Sequence, residues 1–260
     1  LGVNQYILNS YVHQPYDIGP GFTHGRFGNH FQRHNTWYKH AKGWFDYIAR
    51  SQYMLRQGHF EADVCYFTGE GIPGYLGLPS EVIPQLPEGY DYDGVNLELI
   101  KKMEVDGRDL LLPSGASYCM LVIQGIKRMT PELAREVRRL VKKGATVVAP
   151  KPVRSPSLSN YPQCDEKVRS IANEVWGGLD GKTTNEHRFG KGRVIWGTPL
   201  NELLSKMSIL PDFTYSTNAS DNKINYIHRK YKETDIYFVA NHQKKSFEAS
   251  CRFRIKDKTP

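Results

Sequence analysis

Between Tyr118 and Pro150 the chain reads YCMLVI, then MTPELAREVRRLVKKG after a short link, then ATVVAP. No other stretch limits the fold as tightly. YCMLVI is an unbroken apolar run, as in a strand buried on both faces of a parallel sheet. Thr130 followed by Pro131 gives an N-cap and a first helical position. Leu133, Val137, Leu140 and Val141 then recur at helical spacing, and Gly144 supplies the stop. ATVVAP is a second strand. Strand, helix and strand within about thirty residues form a βαβ crossover, and such units build parallel sheets.

The pattern extends in both directions. ADVCYFT (62–68) reads as a buried strand ending in the turn GEGIPG. NLELIKKMEVDG reads as a helix stopped near Gly107. A further helix is expected around Glu166–Trp176, followed by GRVIWG as a late strand. Residues 61–215 are therefore predicted to form a flavodoxin-like α/β domain. An amidotransferase needs a nucleophilic Cys on a sharp strand-to-helix elbow. Here the elbow is QGIKRMT, and Cys119 lies inside the strand, so the domain is expected to be non-catalytic. FGKGR contains glycines but precedes its strand, the wrong context for phosphate binding. Glu70, at a strand end, reads as a surface turn residue that could face a cleft.

The two flanks differ. Residues 1–60 read as the strand VNQYILNSYV, a loop from His13 to His34, and a helix marked by Trp37, Ala41, Trp44, Phe45, Ile48 and Leu55, with a stop at Gly58. Asn35 or Thr36 is the expected cap. That order is one βα unit of a (β/α)8 barrel. Residues 216–260 carry INYIHRKY, TDIYFVAN and EASCRFRI, short strands that read as the start of an antiparallel β-sandwich.

With 35 Lys and Arg against 27 Asp and Glu, the chain has a formal charge of +8, and nucleic acid is the first partner to consider. The densest basic run, REVRRLVKKG, lies opposite the apolar stripe of its helix and reads as a solvated face; no nucleic-acid partner is expected. No apolar run reaches the roughly 18 residues of a membrane helix, so no membrane partner is expected either. The four cysteines are far apart and form no CxxC, which argues against structural zinc. The chain opens without Met or a basic leader segment, and it is read as part of a longer polypeptide.

Chemistry concentrates in YVHQPYDIGPGFTHGRFGNHFQRHNTWYKH. It holds His13, His24, His30, His34 and His40, five of the nine histidines, and a single acid, Asp17. Residues after a barrel strand face the active site. His13, Gln14 and Asp17 would sit there, and Arg33, Asn35 and Trp37 would return to the same rim. Amide, guanidinium and imidazole groups suit sugar hydroxyls, and an indole suits the C–H face of a sugar. His13, Gln14, His24, Arg33, Asn35 and Trp37 are the candidate substrate-binding residues; His30, His34 and His40 read as structural. Glycoside hydrolysis by the usual route needs two carboxyl groups. The first sixty residues offer only Asp17 and Asp46, and Asp46 lies mid-helix. This stretch therefore cannot hold both catalytic groups.

GVNQYILNSYVHQPY, PGFTHGRFGNHFQRHNTWY and ARSQYMLRQGHFEADVCYFTGE resemble the late barrel region of glycoside hydrolase family 106, the α-L-rhamnosidases. The stretch from YCMLVI to SPSLSNYP is similar to the amidotransferase-like domain that follows it. IHRKYKETDIYFVAN is similar to the segment that opens the β-sandwich region. The resemblance spans nearly the whole chain in the right order. It implies an inverting hydrolase that removes terminal α-L-rhamnose from plant cell-wall glycans, with residues 1–60 at the end of the (β/α)8 barrel and the catalytic acid and base expected upstream of residue 1. It also implies a calcium ion with ligands not assigned here, a rhamnose-containing oligosaccharide or polysaccharide as partner, and a secreted or periplasmic protein. The HQP and RHNTW positions match a rim motif of the family, with Tyr16 where a Trp is expected. Two other readings stand beside this one: a non-catalytic carbohydrate-binding or structural module, and a degenerate amidotransferase-like protein.

Overall fold

A computed structural model describes residues 3–9, 11–27, 30–219 and 221–255. Gly2, Ser10, Gly28 and Asn29, within the motifs quoted above, lie outside the described residues. In chain order the elements are α1 (Lys42–Leu55), β1 (His59–Phe60), β2 (Val64–Phe67), β3 (Tyr92–Val95), α2 (Leu97–Lys102), β4 (Glu104–Asp106), β5 (Asp109–Leu111), β6 (Ser117–Tyr118) and β7 (Met120–Val122). There follow α3 (Pro131–Lys143), β8 (Thr146–Val148), α4 (Gln163–Trp176), β9 (Glu186–Phe189), β10 (Gly192–Ile195), α5 (Leu200–Lys206), β11 (Phe213–Thr217), β12 (Ile224–Tyr231), β13 (Thr234–Asn241) and β14 (Ala249–Phe253).

Two compact units organise these elements. The larger comprises Phe60–Lys223 and Gln243–Pro260; the smaller comprises Leu1–His59 and Ile224–His242. The smaller unit is thus discontinuous, closed by a hairpin that follows the α/β segment in sequence.

The larger unit is built on a six-stranded sheet in the order β3-β2-β7-β8-β10-β9. All neighbours pair in parallel except β9, which runs antiparallel to β10. Taken in chain order, the five parallel strands are arranged 2-1-3-4-5, the doubly wound order of flavodoxin-like sheets. Side chains alternate between two cores, as the period of a strand requires. Cys65, Phe67, Leu121, Val147 and Val194 pack with Leu133, Val137, Leu140 and Val141 of α3 and Trp176 of α4. Val64, Tyr66, Met120, Val122 and Ile195 pack on the other face with Leu200, Leu203 and Leu204 of α5. The expected crossover helix is present. Thr130 Oγ1 accepts the Leu133 N–H at 3.2 Å, Pro131 opens the helix, and Gly144 ends it with φ at 139°. A side chain at Gly144 would meet the Gly107 carbonyl, so glycine fits both the turn and the approach. The bases of this helix are partly tied down: Arg138 to Glu174 at 3.0 Å, Arg139 to Glu136 at 2.7 Å, and Lys143 to Glu104 at 2.5 Å.

In the smaller unit α1 forms but begins later than expected, at Lys42 with Ala41 as its N-cap, behind the 3-10 turn Tyr38–His40. Asn35 does take part at this end, accepting the Trp37 N–H at 3.2 Å. The strand expected over VNQYILNSYV does not form: its described residues carry no strand, and the Tyr6 N–H donates to Gln52 Oε1 at 2.8 Å. An extended segment becomes a strand only when another pairs with it, and no described strand does. INYIHRKY and TDIYFVAN form the full hairpin β12–β13, which joins β1 in a three-stranded sheet. EASCRFRI leaves that pattern: β14 pairs with β11 in the larger unit.

Candidate functional site

The aromatic half of the opening loop converges on Phe31. Its ring is 6% exposed and lies 5.6 Å from those of Trp37 and Trp44 and 5.7 Å from that of Phe45. Trp44 stacks on it nearly parallel, at 23°, while Trp37 meets it edge-on. The two indoles are perpendicular to one another, at 87°, and remain 39% and 43% exposed. They border an open groove of about 540 Å³, lined by His30, Phe31, Asn35, Trp37, His40, Ala41 and Trp44. The groove contains imidazoles, an amide and indole surface, and no carboxylate. A second groove, in the larger unit, is lined by opposed charges that satisfy one another: Glu186 with Arg193 at 3.5 Å and Glu202 with Lys206 at 3.9 Å.

The loop before the groove is fixed by two buried glutamines. Gln14 donates to the carbonyls of Val12 at 3.1 Å and Phe22 at 2.6 Å, and accepts the Phe22 N–H at 2.8 Å. Gln32 donates to the Pro20 carbonyl and accepts the His34 N–H, both at 2.7 Å. Gly21, with φ at 79°, lies between them, and a Cβ there would strike both amides. Arg33 donates to the carbonyls of Gln14 at 3.0 Å and Tyr16 at 3.2 Å and sits 3.5 Å from Asp17. His34 reaches the Tyr16 carbonyl at 3.1 Å.

Of the six candidates from sequence, Asn35 and Trp37 share the groove. Gln14 and Arg33 are engaged with the loop backbone that carries it. His13 is exposed, and His24 packs edge-on to Phe27 at 6.2 Å; neither lines the groove. Asn35 spends its amide locally, donating to the His30 carbonyl at 2.8 Å. Sequence reading missed Trp44, assigned to helix packing, and His30 and His40, assigned to structure. Their signal was spacing: His40 and Trp44 lie one helical turn apart and follow Trp37 on the same face.

Other chemical candidates are closed. Cys119 is 9% exposed, and burial pushes its thiol up to about 12, with Asp63 and Asp109 adding to the rise. Glu70 is exposed but tied to the start of α3. Its carboxylate accepts the Thr130 N–H at 2.9 Å and the Thr130 hydroxyl, at the N-terminus of α3.

The profile of glycoside hydrolase family 106, described as alpha-L-rhamnosidase, matches residues 1–260. The chain belongs to glycoside hydrolase family 106. A rhamnosidase of solved structure from Novosphingobium sp. PP1Y superposes at a TM-score of 0.83 with 34% identity, over 99% of this chain and 24% of that one. A protein of Formosa agariphila, named as a candidate beta-glucuronidase, is 39% identical over 259 residues, which is 100% of this chain and 21% of that protein. The family 106 chain described here thus spans between a fifth and a quarter of the relatives it matches.

Proposed function

We propose that this chain is part of a glycoside hydrolase of the α-L-rhamnosidase type, and that its aromatic groove contributes to carbohydrate recognition. Family membership over the whole chain carries the reading, and the lining of the groove agrees with it. Indole faces and amide or imidazole groups suit the two sides of a sugar ring. Bond cleavage requires two carboxyl groups, and the groove has none. The acid and base are therefore assigned to the rest of the polypeptide. Terminal α-L-rhamnose on plant cell-wall glycans, cleavage with inversion and a secreted or periplasmic location complete the proposal on family grounds. So do an α1 segment belonging to the end of a (β/α)8 barrel and an amidotransferase-like α/β domain without catalysis; β12, β13 and β14 fall in two different units and are not proposed as one sandwich.

Calcium does not fit this groove. The ion takes oxygen donors, whereas the groove offers chiefly imidazole nitrogens and one amide that already bonds its own loop. Among the described residues no cluster of His, Cys, Asp or Glu could hold a metal. A family calcium site is accordingly assigned outside these residues.

The test is rhamnoside hydrolysis by the full-length protein carrying Trp37→Ala or Trp44→Ala. A rise in KM of roughly tenfold, the loss of one stacking contact worth about 1.4 kcal/mol, supports a recognition role. Unchanged KM and kcat for both variants would remove the groove from the site. A full-length protein inactive on every rhamnoside would instead favour a binding module.

A further inference from the structure

Past Ile123 the paths of β7 and β8 part and then meet again. The Val153 N–H donates to the Lys127 carbonyl at 3.0 Å, the Met129 N–H donates to the Arg154 carbonyl at 3.2 Å, and Arg128 and Arg154 stand opposite one another as a parallel bridge. Residues paired this way project to one face, with backbones roughly 5 Å apart. Both are arginines, and both are exposed, as is Lys127. None of the three side chains makes a hydrogen bond or ion pair with a described residue. On α3, by contrast, Arg138, Arg139 and Lys143 find acids.

Nearby acids are already committed. Glu70 is taken by Thr130, and Asp165 Oδ1 accepts the Ser155 N–H at 2.8 Å. Like charges directly opposite across a ladder cost stability. An anion shared by two guanidinium groups removes that cost and adds bidentate, charge-assisted hydrogen bonds. The place is also suited to a ligand, because open α/β sheets bind at the carboxyl ends of their strands. Tyr161, in the loop after β8, is 62% exposed, and Tyr75, in the loop after β2, is 69% exposed.

We propose that Arg128 and Arg154, with Lys127, form a binding site for the carboxylate groups of an acidic glycan, a polyuronate. This site is separate from the aromatic groove. The anion follows from the arginine pair. The choice of a glycan follows from family membership, and to that extent the inference rests on the hydrolase reading.

The experiment is affinity electrophoresis of the 260-residue chain through gels containing polygalacturonate, with neutral dextran as the comparison. Polygalacturonate should retard the chain, the retardation should weaken as salt rises, and dextran should have no effect. The Arg128→Gln/Arg154→Gln variant should lose at least about fivefold in apparent affinity, while Arg128→Lys/Arg154→Lys should lose less, because lysine keeps the charge but not the fork. Arg135→Gln/Lys142→Gln on α3 makes the same change in charge and should bind like the original. Circular dichroism melting curves show whether each variant folds. No retardation, or equal loss in both glutamine variants, would overturn the site. Tighter retention of a single-stranded oligonucleotide of equal charge would overturn the glycan. Rhamnoside hydrolysis is not a readout here, so failure of this site and failure of the hydrolase reading are distinguishable.

Discussion

The Arg229 guanidinium, on β12, donates to the carbonyls of Gln57 at 2.5 Å and Gly58 at 2.7 Å, just beyond the end of α1. A helix leaves its last carbonyls without partners inside the helix, and here a strand about 170 residues later in sequence caps the turn that follows. Gly58 has φ at 55°, and a Cβ there would overlap the Lys230 carbonyl. Arg229→Ala should lower the stability of the smaller unit by at least about 2 kcal/mol, since even one hydrogen bond from a charged group is worth about 1.5–3 kcal/mol. Hydrogen exchange should show faster amides in α1 and β12 and little change in β7 or β8. Uniform protection in the variant would refute the local role.

Glu70 performs the same service at the opposite kind of terminus. Glu70→Ala removes the acceptor for the Thr130 N–H and should destabilise the larger unit by about 1–2 kcal/mol. Glu70→Gln should recover part of this. Urea midpoints measured by Trp fluorescence would decide it, because Trp176 is fully buried in that core.

Burial pushes Asp91 up to about 7, and the neighbouring carboxylates of Asp212 and Asp63 add to the rise, against one hydrogen bond from the Tyr92 N–H. The folded state therefore holds this proton more tightly than the unfolded chain. Its contribution favours folding at low pH and is lost as pH climbs from about 4, the unfolded value, to about 7. Asp91→Asn should leave stability unchanged near pH 4 and raise it above pH 7. Chemical denaturation at the two pH values gives the comparison; a variant less stable at pH 8 would show that the carboxylate is needed charged.

Residues 1–59 expressed alone should be poorly soluble. Tyr6, Ile7, Tyr16, Ile18, Phe22 and Tyr53 are all exposed, and the unit lacks β12 and β13 without its second segment. Joining residues 224–242 to residues 1–59 through a flexible linker should raise the soluble, protease-resistant fraction. Equal behaviour of the two would show that the hairpin does not complete the unit.

What the sequence disclosed follows the range of the forces involved. Thr130, Pro131 and Gly144 act on their own helix, so α3 was readable residue by residue. The buried strands were readable because a run such as YCMLVI has no other place to go. Trp37 and Asn35 line the groove because they sit where the loop returns to α1. Gln14 was expected to face sugar; its amide instead binds Val12 and Phe22, and a loop's path is not written in its composition. The hairpin's place was equally hidden. Arg229 meets Gly58 only through a contact that spans the whole α/β segment, and β14 chose β11 through pairing that no local pattern specifies.

The interruption of the smaller unit has a consequence for synthesis. Its first segment leaves the ribosome long before the hairpin that closes it, with Phe60–Lys223 made in between. At typical translation rates that interval is on the order of ten to thirty seconds. The six-stranded α/β sheet has time to form, with only β14 still to be added to its unit, while the segment bearing Trp37 and Trp44 waits unclosed. Chaperone demand in this region should therefore be set by the clock of elongation rather than by the strength of its final contacts.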